Sequence, residues 1–566
     1  MPFISKMAMI VLLVAIAAGA SQQSLNPAVD AIFADLTKPG SPGCALGVYS
    51  DGKVVYAKGY GLANLEESAP ITTKSVFDIA SVSKQFTAAS IVLLEKQGKL
   101  RLDDDIRKYI PELPDYSSQG GERISILHLL NHTSGLRDYG NVFPMAGIDD
   151  DDVTTDDDSL GIILRQKALN FTPGSEWQYS GSGYALLSLI VKRVSGKGLK
   201  EFAAENIFQP LGMTHTQQRD DHTFLIPHRV QAYSPTENGG YRLNVSYAEE
   251  TGDGMVHTTL EDLQKWDENF YSGKVGGENF AAEMEENGKL NDGRIVEYAK
   301  GLRIWTYNGL RAVGHTGGSG GYRAYYIRFP LQHFSVACLC NLENVNRRKR
   351  VAAVIDAYLG GRIGRTDDVA IHGPTTKQLE SLTGTYQDAK TREVCRVAMR
   401  DNKLWVDFEG VPLELRALSQ TEFEPLEYAF DLHMQFEPQP KKGLRRLIVK
   451  KEMELPATLE AIDEAKLSEE ELAAYVGDYW SDELRANYRV TMRAGKLRLD
   501  ELVGADGIVH HTVPFDELKP LQKDEFALTG APMVFHFIRK GTVTSFVLNG
   551  FHERGILFMR REKQRR

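Results

Sequence analysis

The sequence predicts an α+β domain followed by two small all-β, barrel-like domains. Three observations carry this reading. A hairpin and late strand-rich runs bracket a helical middle section. After about residue 376 the chain changes to short alternating strands with few helix signals. That second part also repeats itself when slid by 93 positions, so that "GTYQDAKTREVCRVAMRDNKLWV" from Gly384 lies over "GDYWSDELRANYRVTMRAGKLRL" from Gly477 without a gap.

The N-terminus has a positive residue, Lys6, an apolar run from Met7 to Ile16, and a small-x-small site at Ala18-Gly19-Ala20. The run is too short to span a bilayer, so residues 1–20 read as a cleaved signal peptide. The mature chain then begins near Ser21, periplasmic or secreted, with no stable membrane span. "GCALGVYSDGKVVYAKGYG" reads as a hairpin about Asp51-Gly52. Helical patterns follow at Gln85–Gln97, Tyr184–Val194 and Leu260–Tyr271, then β-rich "LRAVGHTGG", "YRAYYIRFP" and "HFSVACLCNL". Strands first, helices in the middle and strands last predict one domain, residues 21–365, whose terminal strands share a sheet. "TDDVAIHGPTTKQ" reads as a linker to all-β module 1 (376–456) and module 2 (468–566), with Ala457–Tyr475 as a helical connector. The first domain's core is expected to be self-contained.

A formal charge of −10 argues against a nucleic-acid surface and for a small-molecule or peptide substrate. Four cysteines, with Cys338 and Cys340 sharing a strand face, predict no required disulfide. Metal-ligand spacing is missing, so neither a metal nor another cofactor is expected. The acidic block Asp149–Asp158 lacks the calcium-loop pattern, and its last aspartates suit a helix N-terminus.

Chemistry is suggested first by "FDIASVSKQFTA". A serine needs a proton acceptor to become nucleophilic near neutral pH. Ser81 and Lys84, three apart, share a helical face, whereas Ser83 lies about 100° away from its neighbour Lys84. The apolar, small-residue setting would bury the lysine stem and favour its neutral, basic form. Next, Tyr179 and Ser180 in "PGSEWQYSGSGYALLSL" precede a helix, and a phenol beside a lysine can exchange its proton. Last, His315-Thr316-Gly317 leaves a strand whose glycines let a substrate lie close. Gly317–Gly321 also matches a G-x-S-x-G elbow, but a strand rather than a helix follows, which speaks against that reading.

These motifs, in this order, resemble the class C-like penicillin-recognising serine hydrolases: class C β-lactamases, D-alanyl-D-alanine carboxypeptidases, D-aminopeptidases and related esterases. The resemblance runs over roughly residues 27–360 and includes "ISILHLLNHTSGL" and "GDGMVHTTLEDLQKW". It implies a β-lactamase/penicillin-binding-protein-like catalytic domain, an antiparallel sheet with a helical region. It also implies Ser81 as the acylated nucleophile, Lys84 as its base, Tyr179 as acid/base, His315 at the position of the family lysine, and Ser81 and Gly318 N–H groups as the oxyanion hole. Gly181, Thr316 and Gly317 would bind substrate, and Asn131 and His132 would be structural. Two departures stand out. Gly181 replaces the family asparagine, which weighs against β-lactam or peptide turnover more than against ester turnover. His315 replaces a lysine, which weighs against an anchored substrate carboxylate. His-x-Gly is similar to the D-aminopeptidase variant, which also carries two C-terminal β-barrel domains, one reaching toward the active site; Arg323 is a candidate replacement charge. The expectation is therefore an exported serine hydrolase acting on a D-amino-acid peptide, a β-lactam or a small ester. The alternative is a non-catalytic protein that binds or senses penicillin or peptidoglycan fragments.

Overall fold

The computed structural model describes residues 26–117, 123–149, 151–360, 373–426, 432–437, 444–451, 456–503 and 517–561. The signal-peptide segment and most of the linker lie outside the described residues. The elements that build the first domain are α1 (Pro27–Ile32), β1 (Cys44–Ser50), β2 (Lys53–Tyr60), α2 (Lys84–Lys96), α3 (Tyr139–Ala146), α4 (Gly181–Ser195), α5 (Leu260–Ser272), β3 (Tyr298–Ala299), β4 (Leu302–Tyr307), β5 (Leu310–Ser319), β6 (Tyr322–Phe329), β7 (Phe334–Cys340) and α6 (Arg347–Leu359). The N-terminal hairpin joins the late strands in one antiparallel sheet ordered β3-β4-β5-β6-β7-β1-β2. The α+β expectation is met, and the β5–β6 hairpin rules out a nucleophile elbow at Ser319.

β1 is apolar at nearly every position because both faces of the sheet are covered. Successive side chains point to opposite faces. Leu46 and Val48 therefore pack with Val29 of α1, Phe33 just beyond its end, and Val351 and Ile355 of α6, while Ala45 and Tyr49 join the cluster beneath α2, α4 and α5. Cys44 and Cys340 are direct register partners on β1 and β7 and form a disulfide across 296 residues of sequence. This corrects the expectation of no required disulfide. Local spacing drew notice to Cys338 and Cys340, whereas the bridge depends on a long-range register.

The acidic block does start a helix: Thr155 caps it and Asp156–Asp158 fill its first turn, where the helix dipole favours negative charge. Past the linker, β8 (Gly384–Asp388), β9 (Val394–Arg400), β10 (Lys403–Phe408), β11 (Val411–Ala417), β12 (Glu422–Pro425), β13 (Leu432–Phe436), β14 (Arg446–Lys451) and β15 (Ala457–Ile462) close a barrel with its own core. The second unit comprises β16 (Gly477–Ser481), β17 (Ala486–Arg493), β18 (Lys496–Val503), β19 (Leu518–Gln522), β20 (Glu525–Leu528), β21 (Met533–Lys540), β22 (Thr542–Gly550) and β23 (Glu553–Arg560). Its strands follow the same meander, with β16 pairing β23 and a bridge from Arg498 to Glu517 joining β18 to the start of β19. The 93-residue offset maps Gly384 of β8 onto Gly477 of β16 and Lys403 of β10 onto Lys496 of β18. The expected connector helix is corrected. Residues 457–462 form β15, with Leu459 turned into the barrel, and only Glu469–Ala473 is helical. A period of two outweighs helix propensity where a strand is needed to close the barrel.

The first domain's core is not self-contained. Its largest cluster of buried apolar side chains is continuous with the core of the second β unit, from Leu472 to Phe558. Across this junction the buried Arg137 donates to Glu483 at 2.5 Å, and the Tyr488 hydroxyl donates to the Met145 carbonyl at 2.9 Å. Removing residues 376–566 should therefore strip Arg137 of its carboxylate partner and expose a large apolar surface. The expected product is insoluble or unfolded, as read from the soluble fraction and circular dichroism. A soluble, cooperatively melting fragment would overturn this.

Candidate active site

Ser81 lies in the short 3-10 turn Ala80–Ser83 that leads directly into α2. The preceding Ala80 is held at φ 47, a costly left-handed conformation for a residue with a Cβ, and persists because its surroundings fix it. Its N–H donates to Asp78 Oδ1 at 2.8 Å, and the Ile79 N–H donates to the Val256 carbonyl at 3.0 Å. Ser83 is fully buried, and its hydroxyl accepts from the Val256 N–H at 3.0 Å. Ser83 is thus a structural tie, while Ser81 faces the cleft.

One turn on, Lys84 Nζ donates to Ser81 Oγ at 3.3 Å and to the Asp253 carbonyl at 2.6 Å. The Asp253 carboxylate is 3.9 Å away, and the ring centres of Tyr179 and Tyr184 lie at 4.9 and 5.5 Å. Burial works against the lysine's charge, yet Tyr179 and Asp253 outweigh it and leave the Lys84 pKa raised. The expected neutral amine is therefore corrected: Tyr179, then Asp253, 169 residues away in sequence, hold Lys84 toward its cationic form.

Tyr179 ends the loop before α4. Its hydroxyl is buried and makes no hydrogen bond of good geometry. Burial raises its pKa, while the nearby Lys84 and Ser81 oppose the rise. The loop rests on His132, whose ring is 4.4 Å from that of Tyr179 and whose Nδ1 accepts from the Ser180 N–H at 3.2 Å. Burial, then Lys84, holds His132 well below the ordinary imidazole range and hence neutral. This suits the structural part expected of "NHTSGL".

Gly181 opens α4, and its N–H donates to Asp138 Oδ2 at 2.5 Å. A Cβ built here would stand 2.6 Å from Asp253 Oδ2. Asp253, which also accepts from the Tyr139 hydroxyl at 3.0 Å, thus occupies the space beside Gly181. A side chain at residue 181 and the present place of Asp253 exclude one another.

The opposite wall is the end of β5. A Cβ on Gly317 would meet the Ile79 carbonyl at 2.2 Å, so glycine lets the strand lie directly against the turn that carries Ser81. Gly318 follows at the cleft edge, whereas Thr316 is buried behind it. His315 is buried with both ring nitrogens engaged: Nδ1–H donates to the Thr316 carbonyl at 2.6 Å, and Nε2 accepts from the Tyr298 hydroxyl at 3.0 Å. Burial pushes its pKa down to about 3, so it supplies no charge. Arg323 keeps its charge behind the Gly318–Gly320 rim, where its guanidinium donates to the Gly320 and Tyr322 carbonyls and sits 3.8 Å from Glu343.

These walls line a cleft of about 320 Å³, open to solvent, onto which Ser81, Tyr139, Glu250, Asp253 and Gly318 face. No Lys, Arg or His lines it among the described residues. Glu250 is nearly fully buried, its Oε1 has no partner, and burial raises its pKa to about 7. Sequence reasoning found Ser81, Lys84, Tyr179, Gly181 and the Gly317–Gly318 edge, all of which converge here. It missed Tyr139, Glu250 and Asp253; a carboxylate between two glycines in "TGDGM" carries no local sign of the lysine it will meet.

A family profile described as Beta-lactamase matches residues 29–359. Penicillin-binding protein 4* of Bacillus subtilis is 29% identical over 406 residues, covering 66% of this chain and 85% of its own. A D-aminopeptidase of Gluconobacter oxydans is 27% identical, covering 71% and 73%. Among solved structures, the octameric penicillin-binding protein homologue from Pyrococcus abyssi aligns with TM-score 0.54 and 23% identity, covering 74% of this chain and 96% of its own. The D-amino acid amidase from Ochrobactrum anthropi, complexed with L-phenylalanine, aligns with TM-score 0.50 and 24% identity over 60% and 100%; both likenesses speak to the fold. With the matched segment spanning more than half of the chain, this protein belongs to the beta-lactamase family of serine hydrolases.

Proposed function

We propose that the protein is exported and hydrolyses a small amide or ester through an acyl-enzyme on Ser81, with a substrate that carries a positive charge. The observation that carries this reading is the composition of the cleft: a serine in hydrogen-bond contact with a buried lysine opens onto two carboxylates and no cation. A substrate carboxylate would meet repulsion there, whereas an ammonium would meet the Asp253 carboxylate, with the Glu250 carboxyl group beside it in the cleft wall. An acyl group with a free amine is therefore favoured over a penicillin, and the D-aminopeptidases among the relatives agree with it. The Cys44–Cys340 disulfide favours an oxidising, periplasmic or secreted setting.

In this reading Ser81 Oγ attacks the carbonyl carbon and its proton passes to the Lys84–Tyr179 pair. The N–H groups of Ser81 and Gly318 hold the oxyanion. The pair returns the proton to the departing amine or alcohol as the carbon–heteroatom bond breaks. Water then attacks the ester and gives its proton to the pair, which passes it to Ser81 Oγ as the acyl bond breaks and the acid departs. Since Lys84 is held protonated, the competent form has lost one proton from the pair, as neutral amine or phenolate.

Three measurements test the reading. Tyr179→Phe should lower kcat by on the order of 10²-fold or more on a nitrophenyl ester; activity near that of the unmodified chain would remove Tyr179 from the mechanism. On paired esters differing only in a free or acylated amine, Glu250→Gln should raise KM for the amine about tenfold and leave the neutral ester within twofold. Equal effects on both would sink the ammonium subsite. Asp253, with Tyr179, raises the Lys84 pKa, so Asp253→Asn should shift the rise of kcat/KM with pH to lower pH on the neutral ester. An unmoved or upward-shifted profile would contradict this. If a fluorophosphonate labels Ser81 but no substrate turns over, the binding or sensing alternative is favoured.

A further inference from the structure

The cleft is bounded indirectly by the second β unit. Between β22 and β23 the chain turns at Phe551 and His552, both at positive φ, and delivers Glu553 into the first domain. Glu553 is 1% exposed. Its Oε1 accepts from the Asp138 N–H at 3.2 Å and Asn141 Nδ2 at 3.0 Å, and its Oε2 accepts from Asn170 Nδ2 at 2.8 Å. The turn is held by backbone contacts as well: Gln178 Nε2 donates to the His552 carbonyl, the Arg554 N–H to Asn170 Oδ1, and Arg137 twice to the Arg554 carbonyl.

A buried carboxyl group whose partners are all uncharged is costly to fold; burial, with Asp138 nearby, pushes its pKa up to about 7. An apolar residue would fill the space without that cost. What the carboxyl group adds is orientation. Asp138, gripped through its N–H, accepts from the Gly181 N–H two residues beyond Tyr179. Its neighbour Tyr139 accepts nothing from Glu553, but donates its N–H to Ser182 Oγ and its hydroxyl to Asp253. Asp253 in turn holds Lys84.

We propose that Glu553 is a positioning residue for the reaction at Ser81: acting through Asp138 and Tyr139, it fixes both the Tyr179 loop and the Asp253 segment, so that the second β unit is part of the working site. The unit is thus a structural complement to the cleft, reaching it one layer behind the side chains that face substrate. It goes beyond the hydrolase reading and does not depend on which acyl group is cleaved.

The test counts sites before measuring rates. A fluorophosphonate first titrates Ser81 in the full-length chain, which checks the hydrolase reading by itself. Glu553→Ala and Glu553→Gln are then compared per labelled site on the neutral ester. The alanine variant should lose about tenfold or more in kcat with KM within threefold, and the glutamine variant, which keeps one acceptor oxygen and the shape, should recover part of the loss. Amide hydrogen exchange in residues 178–184 should quicken in the alanine variant. A purely structural residue would instead reduce the number of labelled sites and leave kcat per site unchanged; kcat within twofold of the unmodified chain overturns the proposal. Should Glu553→Ala be insoluble, Asn141→Ala removes one donor to Glu553 from outside the cleft. A fall of at least threefold in kcat per labelled site sustains the proposal, and a smaller change overturns it.

Discussion

The architecture of the site follows from one constraint, a lysine cation enclosed at the floor of the cleft. An ammonium removed from water is tolerated only where fixed partners replace its hydration. Lys84 finds those partners in the Asp253 carbonyl and carboxylate, the Ser81 hydroxyl and the faces of two tyrosines. They come from three separate stretches of chain, so holding the cation in place draws together the turn before α2, the stretch that leads into α4 and the loop after Glu250. The sheet supplies the rigid wall. Only because Gly317 lacks a Cβ can β5 come close enough to the Ser81 turn to put Gly318 beside it.

How much of this the sequence discloses depends on range. Ser81 and Lys84 are legible because three residues of helix bring them together, and the order of the Tyr179 and His315 motifs supplies the rest of the family outline. The sheet order is legible because a hairpin at one end of the domain and strands at the other need mutual cover. What escapes is long-range and electrostatic. The raised pKa of Lys84 comes from Tyr179 and Asp253 acting against burial, which alone would have lowered it. The Cys44–Cys340 bridge depends on strand register. His315 looks like an imidazole facing substrate, yet Tyr298 and the Thr316 carbonyl engage both of its nitrogens. The repeat of the β units is plain from Gly384 and Gly477, but the strand that closes the first barrel passes for helix because "ATLEAI" has residues that suit both.

The two departures from the family pattern turn out to be linked. A family-like site with an amide at residue 181 and a lysine at residue 315 would present hydrogen-bond donors and positive charge to the ligand. Here Gly181 leaves room that Asp253 fills, and His315 is neutral. Either change alone would leave the cleft mixed in sign; together they make its lining acidic, with Glu250 adding a carboxyl group that has an unused oxygen. The cation in contact with Ser81 is Lys84, and Asp253 lies against it, so that positive charge is balanced from the protein side before a ligand arrives.

That arrangement also explains why the surrounding shell must be firm. Asp253 is only partly buried and is held by the Tyr139 hydroxyl and the Lys84 contact, on a loop that includes Gly252 and Gly254. A carboxylate on such a loop would drift unless its partner is anchored. Tyr139 is anchored by the Asp138 cap of α3, by Ser182, and beyond them by the packed junction with the second β unit. Firmness at the cleft is therefore borrowed from a core that continues into a different part of the chain. The continuity of that core is what lets a loop carboxylate stand at a fixed distance from a buried lysine.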